Sequence, residues 1–132
     1  MSYNLGRDEI FWRLGHEKSD ELLDELNHLE NVNFQDERGI SYLQVACRSQ
    51  YLEAVNVLLK NGADPNITDN CGHNPILSAL GIKNDNNTKI LETFLEYGLD
   101  LNVPYGDSTL KEMIESFEED EWNILIKKYA NS

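Results

Sequence analysis

The sequence predicts an all-α solenoid: about four helix-turn-helix units stacked along one domain, residues 1–132, joined by short β-turn fingers. Three observations predict it. Gly6, Gly39, Gly72 and Gly106 recur 33, 33 and 34 residues apart. Two residues after each glycine stands Asp8, Ser41, Asn74 or Ser108, all side chains that cap helix N-termini by accepting an orphan backbone N–H bond. Four residues after each glycine comes an aliphatic: Ile10, Leu43, Ile76 or Leu110. Each glycine thus permits a turn at positive φ, a cap follows, and a helix starts.

The units fall at about 5–35, 36–68, 69–102 and 103–130. Unit one is degenerate, with a short helix expected from Asp8 to Leu14 and ended by Gly15. Ser19 then caps a helix from Asp20 to His28, with Leu22, Leu23, Leu26 and Leu29 on one side and carboxylates over the rest. Unit two is the template. A helix from Ser41 to Ser49 turns Leu43, Ala46 and Cys47 inward, and a longer one from about Leu52 to Lys60 buries Val55, Leu58 and Leu59. Asn61-Gly62 supplies a left-handed stop.

Unit three repeats the template from Asp69, with Pro75 one past its cap, where a missing N–H is harmless. Ile76 to Leu95 spans 19 residues against 16 from Leu43 to Leu59, so residues 83–88 are expected to form a polar loop. Unit four has a shorter finger, a helix from Ser108 to Phe117, and a last helix near Glu119 to Tyr129 carrying Trp122, Leu125 and Ile126. Its run Glu118 to Glu121 suits a helix start, as Lys127 and Lys128 suit a helix end.

The repeated block, Asp36-x-x-Gly39-x-Ser41-x-Leu43 onward to Gly62-Ala63-Asp64-x-Asn66, resembles the ankyrin repeat. The resemblance covers roughly residues 5 to 130 and implies an inner row of short helices, an outer row of longer ones, and projecting fingers. The family binds other proteins with the concave face made by fingers and inner helices, and is generally not enzymatic. The usual Thr-Pro-Leu-His element reads Ser41-Tyr42-Leu43-Gln44, Asn74-Pro75-Ile76-Leu77 and Ser108-Thr109-Leu110-Lys111. Its bridging histidine is absent from all three. Gln44 is expected to replace it in part and Leu77 not at all, so the network between units should be less regular.

On this resemblance the partner-binding residues are Glu37, Arg38, Ile40, Arg48 and Ser49 in unit two. Asn70, Cys71, His73 and Ile82 follow in unit three, and Tyr105, Asp107, Glu115 and Ser116 in unit four. Arg7 and His16 are the counterparts in unit one. Ile40, Ile82 and Tyr105 are expected to be exposed apolar anchors.

Eleven basic residues against twenty-four acidic give a net charge of −13. That disfavours nucleic acid and anionic membrane, and favours a basic protein partner. No apolar run approaches the ~18 residues of a membrane span, and the N-terminus lacks a secretory pattern. A cytoplasmic monomer is expected. Cys47 reads as a buried small hydrophobe and Cys71 as an exposed turn residue, not a disulfide pair.

There is no phosphate-binding loop, nucleophile elbow or zinc spacing, so neither cofactor nor catalysis is expected. Cys71-Gly-His73 offers two metal ligands without a second pair. Small, acidic, free-standing arrays of this kind resemble immunity proteins that neutralise a basic toxin by covering its active site. An adaptor or effector, a regulatory subunit, and a metal protein using Cys71 and His73 are the other readings.

Overall fold

The computed structural model describes residues 5–81 and 83–130, with side chains from Glu9 onward. Among them are eight helices: α1 (Leu5–His16), α2 (Asp20–Leu26), α3 (Tyr42–Arg48), α4 (Leu52–Lys60), α5 (Pro75–Ala79), α6 (Asp85–Glu96), α7 (Leu110–Glu115) and α8 (Asp120–Ala130). A two-stranded antiparallel hairpin, β1 (Pro104–Tyr105) and β2 (Ser108–Thr109), precedes α7. None of the helices is long and apolar enough to cross a membrane.

The helices form two rows. In the inner row α3 packs on α1 and α5; in the outer row α4 packs on α2 and α6, and α6 on α8. One apolar core runs the length of the stack between the rows, from Leu14 and Leu22 through Leu43, Leu58, Ile76 and Phe94 to Ile114, Trp122 and Ile126. Each unit buries its apolar stripe against the next, so the core is built by neighbours rather than by one centre.

The caps follow local chemistry. Ser19, Ser41 and Asn74 accept from the backbone N–H of Leu22 (3.2 Å), Gln44 (3.2 Å) and Ile76 (2.8 Å), and Pro75 opens α5. Gly62 ends α4 at φ +98°. Cys47 is fully buried, which pushes its thiol pKa up, and Cys71 is exposed.

Four expectations change. α1 begins at Leu5 and runs through both Gly6 and Gly15 to His16, so Gly6 makes no turn and Asp8 is no cap. A glycine inside a helix costs about 1 kcal/mol, which the continued backbone ladder outweighs. A Cβ at Gly15 would sit 3.8 Å from Val45 Cγ1 on α3, an ordinary contact, so packing there does not demand a glycine. In unit four the cap is Thr109, one residue later than Ser108. Thr109 Oγ1 accepts from the Glu112 N–H at 3.2 Å, and Glu112 returns to the Thr109 N–H at 3.1 Å. Ser108 is instead tied up in the hairpin, whose two-residue turn has Gly106 at φ +63°, as a type II′ turn requires.

Residues 83–88 are not a loop throughout: α6 starts at Asp85. Asn84 caps it, and Asn84 and Asn87 exchange bonds of 2.9 Å in each direction as a capping box. Finally, the links between units are regular. Asn33 Nδ2 donates to Gly62 O (3.2 Å) while its Oδ1 accepts from the Asp64 N–H (2.8 Å). Asn66 repeats this with Gly98 O (3.1 Å) and the Asp100 N–H (2.7 Å). This asparagine ladder repeats one link between successive units, whereas from the position of the absent histidine Gln44 bonds Asp69 and Leu77 forms no such bond.

Candidate interaction surface

The fingers of units two and three are built on one plan. Asp36 Oδ1 accepts from the N–H groups of Arg38 and Ile40, both at 2.9 Å. Asp69 Oδ1, 33 residues on, accepts from those of Cys71 (2.8 Å) and His73 (3.0 Å). Each carboxylate cages a turn whose glycine, Gly39 or Gly72, has φ near +80°. Burial works to raise both carboxyl pKa values, but the bonds outweigh it. For Asp36 these come from the Ile40 N–H and from Arg38; for Asp69, from the His73 N–H, Gln44 and the Cys71 N–H. Both pKa values therefore lie below the ordinary aspartate range.

A depressed folded pKa contributes stability above the unfolded value, ~3.9, which disappears as pH falls through the folded value. Urea midpoints should therefore hold from pH 7 to 5 and drop below about pH 4. The drop should be shallower in Asp69→Asn than in the parent protein. Equal drops in the two proteins would remove Asp69 from the account.

The fingers are bonded to one another. The Asn70 N–H donates to Arg38 O (3.1 Å), Asn70 Nδ2 to Glu37 O (2.9 Å), and Gln35 Nε2 to Thr68 O (2.7 Å). Gln44 Nε2 reaches Asp69 Oδ2 at 3.1 Å, so it does link units two and three as expected. Tyr105 on β1 lies against the His73 ring, centroids 5.9 Å apart, which joins the third finger to the hairpin.

Of the expected contact residues, Glu37, Arg38, Arg48, Asn70, Cys71, His73, Asp107, Glu115, Ser116 and His16 are exposed, and Ser49 and Tyr105 half-buried. Ile40 is corrected: it is only 8% exposed, because its N–H is pinned by Asp36 and its side chain joins the core. Ile82 and the side chain of Arg7 lie outside the described residues. Cys71 and His73 share the Asp69 turn, but no group of three or more His, Cys, Asp or Glu placed to hold a metal occurs among the described residues.

Sequence reasoning missed Trp12. It is 61% exposed and stacks on His16 at 4.4 Å with 12° between the rings. Two residues past Ile10, it lies about 200° around the helix from the buried stripe; that offset was the available signal. Trp12 and His16 border a groove of about 550 Å³ between α1 and the second finger. The nearly buried Ile40 and Val45 and the exposed Arg38 and Arg48 also line it. Arg38 pairs with Asp36 at 2.9 Å, whereas Arg48 has no hydrogen bond or ion pair among the described residues.

Comparison with known proteins places this geometry. Residues 12–126 match a family model described as ankyrin repeats, in 3 copies. Over 48 residues, 36% of this chain, the sequence is 42% identical to mouse (Mus musculus) ankyrin repeat domain-containing protein 63, of which it covers 12%. A match of 33% identity over 106 residues covers 67% of this chain and 18% of a protein of Acanthamoeba polyphaga mimivirus named for its ankyrin repeats. The chain thus spans under a fifth of the length of these relatives. The crystal structure of an ankyrin repeat domain from Acinetobacter baumannii superposes with a TM-score of 0.79 at 21% identity, over 92% of this chain and 63% of that one.

Proposed function

The chain belongs to the ankyrin repeat family, and from that premise we propose that it is a non-enzymatic protein-binding module whose concave face, fingers plus inner helices, engages one partner. The observation that carries this is the bonding between fingers. Backbone contacts hold Arg38 against Asn70 while Glu37, Arg38, Cys71 and His73 stay exposed. Side chains held at fixed spacing lose little entropy when they are covered, and that preorganisation favours affinity.

The net charge of −13 supports a basic partner. Exposed carboxylates gather on α2, at Asp20, Glu21, Asp24 and Glu25, and around α7 and α8, at Glu112, Glu115, Glu118, Asp120 and Glu121. Their field steers a cationic protein before contact is made. A basic toxin neutralised by occlusion of its active site fits that electrostatic scheme, with the module acting as a cytoplasmic monomer.

Affinity capture from the native host, followed by identification of the partner, tests the class. With the partner in hand, Glu37→Lys combined with Asp107→Lys should slow association about tenfold at low salt and little at 0.5 M salt. An unchanged association rate at low salt removes steering by those two carboxylates. A partner footprint confined to α2, α4, α6 and α8 removes the concave face altogether.

A further inference from the structure

The groove beside α1 has the opposite electrostatic character from the rest of the molecule. The chain carries twenty-four carboxylate side chains against eleven basic ones. None of the residues lining this groove is acidic, while Arg38, Arg48 and His16 all are among them. Arg48, in the last turn of α3, has no carboxylate partner among the described residues. Arg38 keeps one Asp36 oxygen yet leaves 72% of its side chain exposed.

His16 Nδ1 lies 2.7 Å from Trp12 O. A carbonyl only accepts, so Nδ1 carries the proton, and Nε2 of that tautomer is left as an acceptor for a ligand N–H, such as a backbone amide of an extended segment, and not for a carboxylate. The apolar part is equally specific. Trp12 is the most exposed aromatic of the face, with its ring held flat against His16. Phe11 behind it stacks on Tyr42 at 4.6 Å, which fixes that wall of the groove. Tryptophan and arginine together are the residue types that dominate binding energy at interfaces. The volume of about 550 Å³ lies inside the range of roughly 300–1,000 Å³ typical of ligand sites.

We propose that this groove binds an acidic, extended segment of the partner protein, with one aromatic or branched aliphatic side chain seated on Trp12, Ile40 and Val45 and its flanking carboxylates on Arg48 and Arg38. The inference rests on the concave face being the binding face and names the chemistry of its N-terminal half. Guanidinium and carboxylate match as planar, bidentate partners. The long-range field selects a partner of positive net charge; the groove selects the one acidic stretch on it. Among the described residues Arg48 is the unpaired cation of the groove and Arg38 shares its charge with Asp36 at 2.9 Å, while salt with a Debye length of about 8 Å screens the carboxylates that lie farther off.

The test is selection of a random twelve-residue peptide library, displayed on phage, against the intact chain at 0.15 M salt. Enriched peptides are expected to place Asp or Glu on both sides of an aromatic, Leu or Ile. A synthetic copy of one should shift the backbone amide resonances of Gly15, Ile40 and Arg48 and quench Trp12 fluorescence. Arg48→Glu and Trp12→Ala should each weaken it about tenfold or more, while Lys60→Glu on the outer row leaves it unchanged. Thermal melts of all three variants separate binding loss from unfolding.

No enrichment, or enrichment without carboxylates, overturns the proposal. So does unchanged affinity in Arg48→Glu, or tighter binding of a twelve-nucleotide oligothymidylate than of the peptides. If basic peptides are selected and shift Cys71, His73 and Asp107, the concave-face reading stands while the acidic groove falls. If every shift lies on the outer helices, both fall.

Discussion

Trp122→Ala is expected to destabilise the fold by about 3–5 kcal/mol, the range for removing a large buried aromatic. The side chain is 1% exposed on α8 and meets the edge of Phe117, centroids 5.5 Å apart at 85°. Its Nε1–H donates to Thr88 Oγ1 at 3.0 Å, and the Thr88 hydroxyl donates on to Asn84 O at 3.2 Å. Thr88 stands in the first turn of α6 and Asn84 is that helix's cap, so one indole ties the last outer helix to the start of the one before it. In a stack, each unit depends on its neighbour's face. The damage should therefore concentrate at this end. Hydrogen exchange in the variant should accelerate first in α7 and α8, while α3 and α4 keep most of their protection. Trp122→Phe keeps the ring and loses the hydrogen bond, so it should cost about 1 kcal/mol plus a smaller packing term. Urea unfolding followed by circular dichroism measures both. A loss below about 1 kcal/mol in the alanine variant would mean that α8 contributes little to the cooperative unit.

The fold was legible because its rules are local and repeated. A glycine, a cap and an aliphatic at fixed offsets dictate a turn and a helix wherever a neighbour accepts the apolar stripe, and Ser41, Asn74, Gly39 and Gly72 obey. The same offsets misled at Gly6 and at Ser108. At Gly6 the helical hydrogen-bond ladder continues through the glycine and takes the segment. At Ser108 a shorter finger lets two residues pair across a hairpin, and the cap moves to Thr109. The run from Lys83 to Thr88 read as loop because polar residues mark both loops and caps. The reciprocal Asn84–Asn87 pair decides between them: it is a local capping box, three residues apart, with Asn87 fully buried.

The surface was less legible than the fold. Exposure at finger positions follows from the unit's geometry, so Glu37, Cys71, His73 and Asp107 came out as expected. Ile40 did not, because its side chain joins the core. The net charge of −13 described the whole chain and concealed the cationic groove, since which arginines meet across two units is a fact of stacking rather than of composition. Trp12 sat in a helix whose true length was not apparent, and a mis-set helix end hides the face that its residues share.

Gly39→Ala separates the strain of a turn from contact between fingers. Gly39 and Gly72 occupy equivalent positions at φ +80° and +83°. A side chain in that left-handed region costs about 1–2 kcal/mol, and Gly72→Ala should show about that much, since its added Cβ meets nothing within 4 Å. At Gly39 the same Cβ would lie 2.6 Å from both the backbone N and the Oδ1 of Asn70. The first is backbone and the second is held by its own side chain's bond to Glu37 O at 2.9 Å, so neither yields easily. Forcing them apart stretches the Asn70 N–H to Arg38 O bond of 3.1 Å and adds an overpacking cost of about 1–3 kcal/mol. The total for Gly39→Ala is about 2–5 kcal/mol, visible as a lower urea midpoint than in Gly72→Ala at equal slope. The functional consequence follows from the same contact. Moving the third finger away from the second displaces Cys71 and His73 relative to Arg38. A partner that spans both fingers should then dissociate faster from Gly39→Ala than from Gly72→Ala, measured at a temperature where both variants remain folded. Equal destabilisation of the two variants would show that the close approach of the fingers is relieved at no cost, and that their spacing is set by the asparagine ladder below them instead.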